Sequence, residues 1–183
     1  MLRRSTTANI ARHATRNTAE VLVRNAPPGR WLWIPVVSIM VASASVLLPY
    51  VATAPLLPPL GLMTLLAWRL LRPELFRLWA PVPLGFFDDL LSGQPLGSAM
   101  LLWTLCFLAL DVLDRRMLWR DFRQDWLIGA GLTAAVIVLA ALIAWRGPVV
   151  MPLAPFFVQM VAAAAAFPLV SRVVAWIDGW RVA

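Results

Sequence analysis

The sequence holds very little of what catalysis and cross-linking draw on. Its 183 residues include one cysteine, Cys106, one histidine, His13, one tyrosine and no lysine. A single cysteine excludes an intrachain disulfide, and one cysteine with one histidine cannot assemble a Cys/His metal site. His13 sits in a basic segment, so the hydrophobic part of the chain contains no histidine to act as a general base. Charged residues make up only 14% of the sequence, and it carries no glycine-rich phosphate loop, no HExxH and no GxSxG. These absences argue against an enzyme. No catalytic residue, metal or cofactor is expected.

What is present is hydrophobic. A 61% apolar composition with mean hydropathy +0.78 exceeds the roughly half-apolar make-up of soluble domains. This reads as an integral membrane protein. The net charge of +7 comes from 16 arginines against nine acids. The arginines punctuate the apolar runs and form no separate basic domain, so they read as topology signals and no nucleic-acid partner is expected. Residues 1–30 carry Arg3, Arg4, Arg12, Arg16, Arg24 and Arg30 against one acid, Glu20. This segment lacks the early apolar stretch and cleavage site of a secretory signal and reads as a retained cytoplasmic tail. An organellar transit peptide is the competing reading.

An apolar run of about 20 residues crosses the roughly 30 Å hydrocarbon layer. By that rule the fold class is an all-α, polytopic bundle of six transmembrane helices, over about residues 31–48, 56–71, 75–91, 98–113, 126–145 and 149–177. The membrane domain is residues 31–178, and 179–183 form a cytoplasmic C-terminus. Arginine placement tests the count, because cytoplasmic loops carry the basic excess. With the N-terminus inside, fifteen of the sixteen arginines fall in cytoplasmic segments and only Arg146 falls outside. Trp31, Trp33, Trp68, Trp119, Trp126, Trp176 and Trp180 fall near the same interface, where indole rings prefer to sit. A multi-pass protein with both termini in the cytoplasm follows.

Three details qualify the spans. Helix 2 is short and is entered through Pro55, Pro58 and Pro59, so a re-entrant hairpin competes with a full span. Helix 3 holds Pro81 and Pro83, expected in its interior, where they would bend it as in the discontinuous helices of transporters. Helix 6 contains Ala162 through Ala166, a small-residue face expected to pack inside the bundle, with packing against a partner as the competing reading.

The most informative segment is Gly85-Phe86-Phe87-Asp88-Asp89-Leu90-Leu91-Ser92-Gly93-Gln94-Pro95-Leu96-Gly97. Ionisable groups at membrane depth are costly and normally mark a functional or assembly site. Asp88 and Asp89 stand about 100° apart around a helix, so they face different surroundings. Gly85, Asp89 and Ser92 share one face, with Gly85 placed to meet a neighbouring backbone. Both acids lie in the last turn of helix 3, where the helix dipole disfavours them, so a donor is required. The turn from Gly93 to Gly97 supplies one, by folding the amides around Gly97, Ser98 and Ala99 back onto the end of helix 3. Gly93 suits the left-handed position after a helix, and Pro95 blocks its continuation. One reading makes the turn a lock between helices 3 and 4, and another makes it a functional site. Arg146 is a candidate ion-pair partner for Asp88 or Asp89, or a side chain snorkelling to lipid headgroups. Asp111, Asp114, Asp121 and Asp125, mixed with four arginines, read as a solvated mesh or a docking surface for a cytosolic partner.

With its six expected spans and basic N-terminus, this motif resembles the bacterial rod shape-determining MreD family. That family typically shows Gly-Leu-Leu-x-Asp-Leu-Leu-x-Gly-x-Pro-Leu-Gly here. The family aspartate falls on Asp89, its glycines on Gly85, Gly93 and Gly97, and its proline on Pro95, while Phe86 and Phe87 replace leucines. The resemblance implies a non-enzymatic inner-membrane subunit of the cell-elongation complex. Its implied partners are MreC and, more widely, RodA, a class B penicillin-binding protein and MreB, within membrane lipid. The family's fold is similar to the substrate-binding subunits of energy-coupling-factor vitamin transporters. A small-molecule transporter subunit is therefore the alternative.

Overall fold

The computed structural model describes residues 33–47, 58–93, 95–116, 121–144 and 153–182. Every regular element among them is helical. The α-helices are α1 (Trp33–Ala44), α2 (Leu60–Leu71), α3 (Pro81–Ser92), α4 (Ser98–Arg116), α5 (Phe122–Ala144) and α6 (Leu153–Val182). A short 3-10 turn, Ser45–Leu47, follows α1. At 1.5 Å per residue α5 and α6 reach about 35 and 45 Å, whereas the 12-residue α2 and α3 reach about 18 Å. Two stretches, Phe122–Ile143 and Phe156–Trp180, are long and apolar enough to cross a bilayer. Trp33–Leu47 and Leu60–Leu71 are shorter apolar helices.

The centre of the bundle is α2. Its residues from Gly61 through Arg69 are buried without a break, the pattern of a helix enclosed on all sides. It packs against α1, α5 and α6, while α3 and α4 form a tight pair and α5 and α6 another. Leu62, Leu65, Leu66 and Trp68 of α2 meet Phe107 and Leu110 of α4 and Phe167 of α6 in one continuous core.

Small residues set the closest approaches. The Phe167 ring lies against Gly129, occupying the space a Cβ there would need. Ala163 is buried, and the Trp126 indole donates to the Ala164 carbonyl at 2.9 Å. Ala163 and Ala166 of the alanine run therefore pack within the bundle, whereas Ala165 is exposed.

Several boundaries differ from expectation. Helix α3 begins at Pro81 and not near residue 75, so Pro81 occupies the first helical position and Pro83 the third. Amides in that first turn have no intrahelical partner, so these prolines start the helix without breaking it. The expected interior bend and its likeness to a discontinuous transporter helix are withdrawn. Helix α6 runs on through Val182, so residues 179–182 continue it and form no separate tail. Trp68 is buried and not interfacial, with its indole donating to Ser38 Oγ at 2.9 Å. The tail over residues 1–30, Trp31, Trp119, Gln94 and Arg146 lie outside the described residues.

Candidate functional site: the carboxylate turn

The end of α3 is positioned by two glycines with left-handed backbones. Gly93 (φ 65°) terminates α3, and Gly97 (φ 95°) precedes α4. That region carries a steric penalty for side chains bearing a Cβ, so glycine at both places lets the chain reverse within a few residues. The reversal lays α4 along α3. A Cβ on Gly85 would stand 2.8 Å from Met100 N and Cα and 2.9 Å from Ala99 C, so only glycine allows this approach of helix to backbone.

The close approach delivers the start of α4 to Asp89. The Gly97 amide donates to Oδ2 at 2.9 Å, and the Ala99 amide and Ser98 hydroxyl donate to Oδ1 at 2.9 and 3.0 Å. Met100 N adds a longer contact to Oδ2 at 3.5 Å. The Ser98 amide goes instead to the Pro95 carbonyl at 3.0 Å. All of the first amides of α4, which a helix cannot satisfy internally, are thus accounted for. Asp89 acts as an N-cap supplied by another helix, and the positive end of α4 offsets the negative end of α3 on which the acid sits. The residue is 1% exposed, and its acceptor capacity is engaged within the chain.

Asp88 points elsewhere, as the 100° step between neighbours requires. It is half-buried, facing Gly61 at the start of α2 and Ser43 near the end of α1. Ser92, one turn on, is half-buried with an Oγ that has no hydrogen-bond partner. The structure thus brings Gly85, Asp89, Gly93, Pro95 and Gly97 together in one turn and sends Asp88 to a different junction. Arg146 and its expected pairing lie outside the described residues.

Sequence reasoning missed a second set of charges at the opposite end of α2. Arg69, 7% exposed, pairs with Asp114 of α4 at 3.0 Å and lies over the Phe107 ring at 5.9 Å. Arg72 Nε meets Asp178 of α6 at 3.0 Å. Asp114 therefore belongs to a tie between helices and not to a solvated mesh, whereas Asp111 and Arg115 form the expected exposed i, i+4 pair at 2.9 Å. Only the apolar setting of Arg69 signalled this, since its partner lies far along the chain.

An open groove of about 630 Å³ runs between α1 and α6 with α2 as its floor, lined by Trp33, Val37, Val41, Leu169, Val173 and Ile177. Its two hydroxyl-bearing residues, Ser38 and Thr64, donate to carbonyls of their own helices. No set of polar groups converges there, unlike in a site for a small polar ligand.

Fold and site together define, over the described residues, a helical protein whose buried carboxylate ties one helix to the next. Among known proteins, no family model matches the chain, and neither does any curated protein or solved structure.

Proposed function

We propose that this chain is a non-catalytic, six-span subunit of the bacterial inner membrane, with both termini cytoplasmic, serving cell elongation as MreD proteins do. In this reading α5 and α6 cross the bilayer alone. The shorter helices cross as part of a bundle that shields their ends and thins the layer around them. The observation that carries the proposal is the Asp89 cap. The segment that resembles the MreD motif engages its acid with its own α4 amides, which suits a rigid scaffold better than a reactive or transporting centre. The apolar groove supports the same choice over a vitamin-type transporter subunit, because the hydroxyls of Ser38 and Thr64 that line it are engaged by carbonyls of their own helices.

The partners that follow are MreC first, then RodA, a class B penicillin-binding protein and MreB, with lateral wall synthesis as the shared task. The test replaces the chromosomal copy with Asp89→Ala or Asp88→Ala and scores cell shape at matched protein levels. Rounded or widened cells with Asp89→Ala and near-normal rods with Asp88→Ala are expected. Normal rods from both would remove the motif from the account.

A further inference from the structure

The groove between α1 and α6 has an orientation as well as a lining. Trp68 donates to Ser38 and Gly61 lies against Ser43, so α1 and α2 run antiparallel and Arg72, just past α2, stands at the Trp33 end. Arg72 also meets Asp178, the neighbour of the groove residue Ile177, which brings that part of α6 to the same end. The groove therefore has one charged mouth and runs from it between apolar walls. From Trp33 to Ala42 the α1 wall rises about 14 Å at 1.5 Å per residue. One leaflet of the hydrocarbon layer, half of roughly 30 Å, has nearly that depth.

Two features select the occupant. The walls are bulky, with Val37 and Val41 on one side and Leu169 and Val173 on the other, whereas helices that pack in lipid meet through small residues that let backbones close. A flexible hydrocarbon chain suits such walls better than a second helix. At the mouth, Arg72 commits Nε to Asp178 and reaches Glu74 only at 3.9 Å, with its side chain 39% exposed. A guanidinium carries five N–H donors in a fork that matches phosphate, so donors remain for a headgroup. The exposed indoles of Trp33 and Trp180 lie toward the same end, as amphipathic rings do at headgroup level.

We propose that the groove holds one phospholipid of the cytoplasmic leaflet, with an acyl chain between α1 and α6 and its phosphate on Arg72. Basic clefts at the cytoplasmic ends of membrane helices bind headgroups in this way. The chain closes the gap between α1 and α6, both of which pack on α2.

This site rests on the membrane reading and its topology, and is independent of any role in cell elongation. The purified full chain, stripped of lipid in detergent, is titrated with dioleoylphosphatidylglycerol, and bound lipid is counted by native mass spectrometry. One saturable lipid is expected. Dioleoylglycerol, which has the same chains and no phosphate, should bind roughly tenfold more weakly. Val173→Trp fills the groove and should reduce retention by a similar factor; Val37→Trp does so from the other wall if Val173→Trp does not fold. Leu105→Trp, on the exposed face of α4, should bind as the wild type does. The absence of a saturable single lipid, equal binding of dioleoylglycerol, undiminished retention in the groove variants, or an equal loss in Leu105→Trp would overturn the site while leaving the membrane reading intact. A chain that leaves its native membranes without detergent would overturn both.

Discussion

Replacing Asp89 with alanine should be among the most damaging single changes to this chain. The side chain accepts from Gly97 N, Ser98 Oγ and Ala99 N, all within 3.0 Å. Its removal strands two backbone amides and a hydroxyl at a buried helix start. Each unsatisfied buried donor costs about 1–3 kcal/mol, less where relaxation or water rescues it. A total of about 3–5 kcal/mol follows, near the cost of breaking a buried charge pair. For a chain of this length that corresponds to a fall in Tm of roughly 6–20 °C. Asp89→Asn keeps the shape and one acceptor but turns an NH₂ toward a backbone donor, so its loss should be intermediate. No backbone hydrogen bond to Asp88 is seen among the described residues, and for this half-buried acid Asp88→Ala should cost about 0.5–1.5 kcal/mol, well below Asp89→Ala. The assay is thermal unfolding of purified variants in one detergent and one buffer. Equal losses for Asp89→Ala and Asp88→Ala, or a loss below about 0.5 kcal/mol for Asp89→Ala, would refute the cap argument.

Other substitutions probe the remaining close contacts. Gly85→Ala drives a Cβ into the Met100 backbone, which has no flexible end to yield, so α3 and α4 must separate at a cost of about 1–3 kcal/mol, read in the same unfolding assay. Gly129→Ala displaces the Phe167 ring and should cost a similar amount, but Gly129→Ala with Phe167→Leu should recover part of it. Asp114→Asn leaves the buried Arg69 guanidinium poorly compensated. Because Asp114 is itself partly exposed, the expected loss is about 1–3 kcal/mol, and a double-mutant cycle with Arg69→Met should show coupling. Cys106 is buried, so it should resist maleimide in the folded protein and react only on unfolding, as mass spectrometry would register; rapid labelling of folded protein would contradict its placement.

Much of the carboxylate turn is legible from local spacing. Gly85, Asp89 and the Gly93 to Gly97 reversal lie within thirteen residues, so helix periodicity and turn chemistry suffice to bring the α4 amides onto the acid. Pro81 and Pro83 are harder, because an apolar run does not reveal whether a proline starts a helix or interrupts it. The turn that ends at Ala80 decides this, and it reads as apolar as the helix itself. Arg69 and Trp68 sit at the end of an apolar run where topology rules place interfacial residues. Their partners, Asp114 and Ser38, come from other helices, and no local pattern announces a pairing across 45 or 30 positions. The Ser43, Gly61 and Asp88 junction is hidden for the same reason, since three separate helices contribute one residue each.

The most direct test of the assembly account is purification of the tagged chain from its native membranes in a gentle detergent, with co-purifying proteins identified by mass spectrometry. Recovery of MreC with RodA or a class B penicillin-binding protein, lost in the Asp89→Ala variant at equal expression, is the predicted result. Recovery of paired ATPases with a transmembrane coupling subunit would contradict it and make the chain a transporter component.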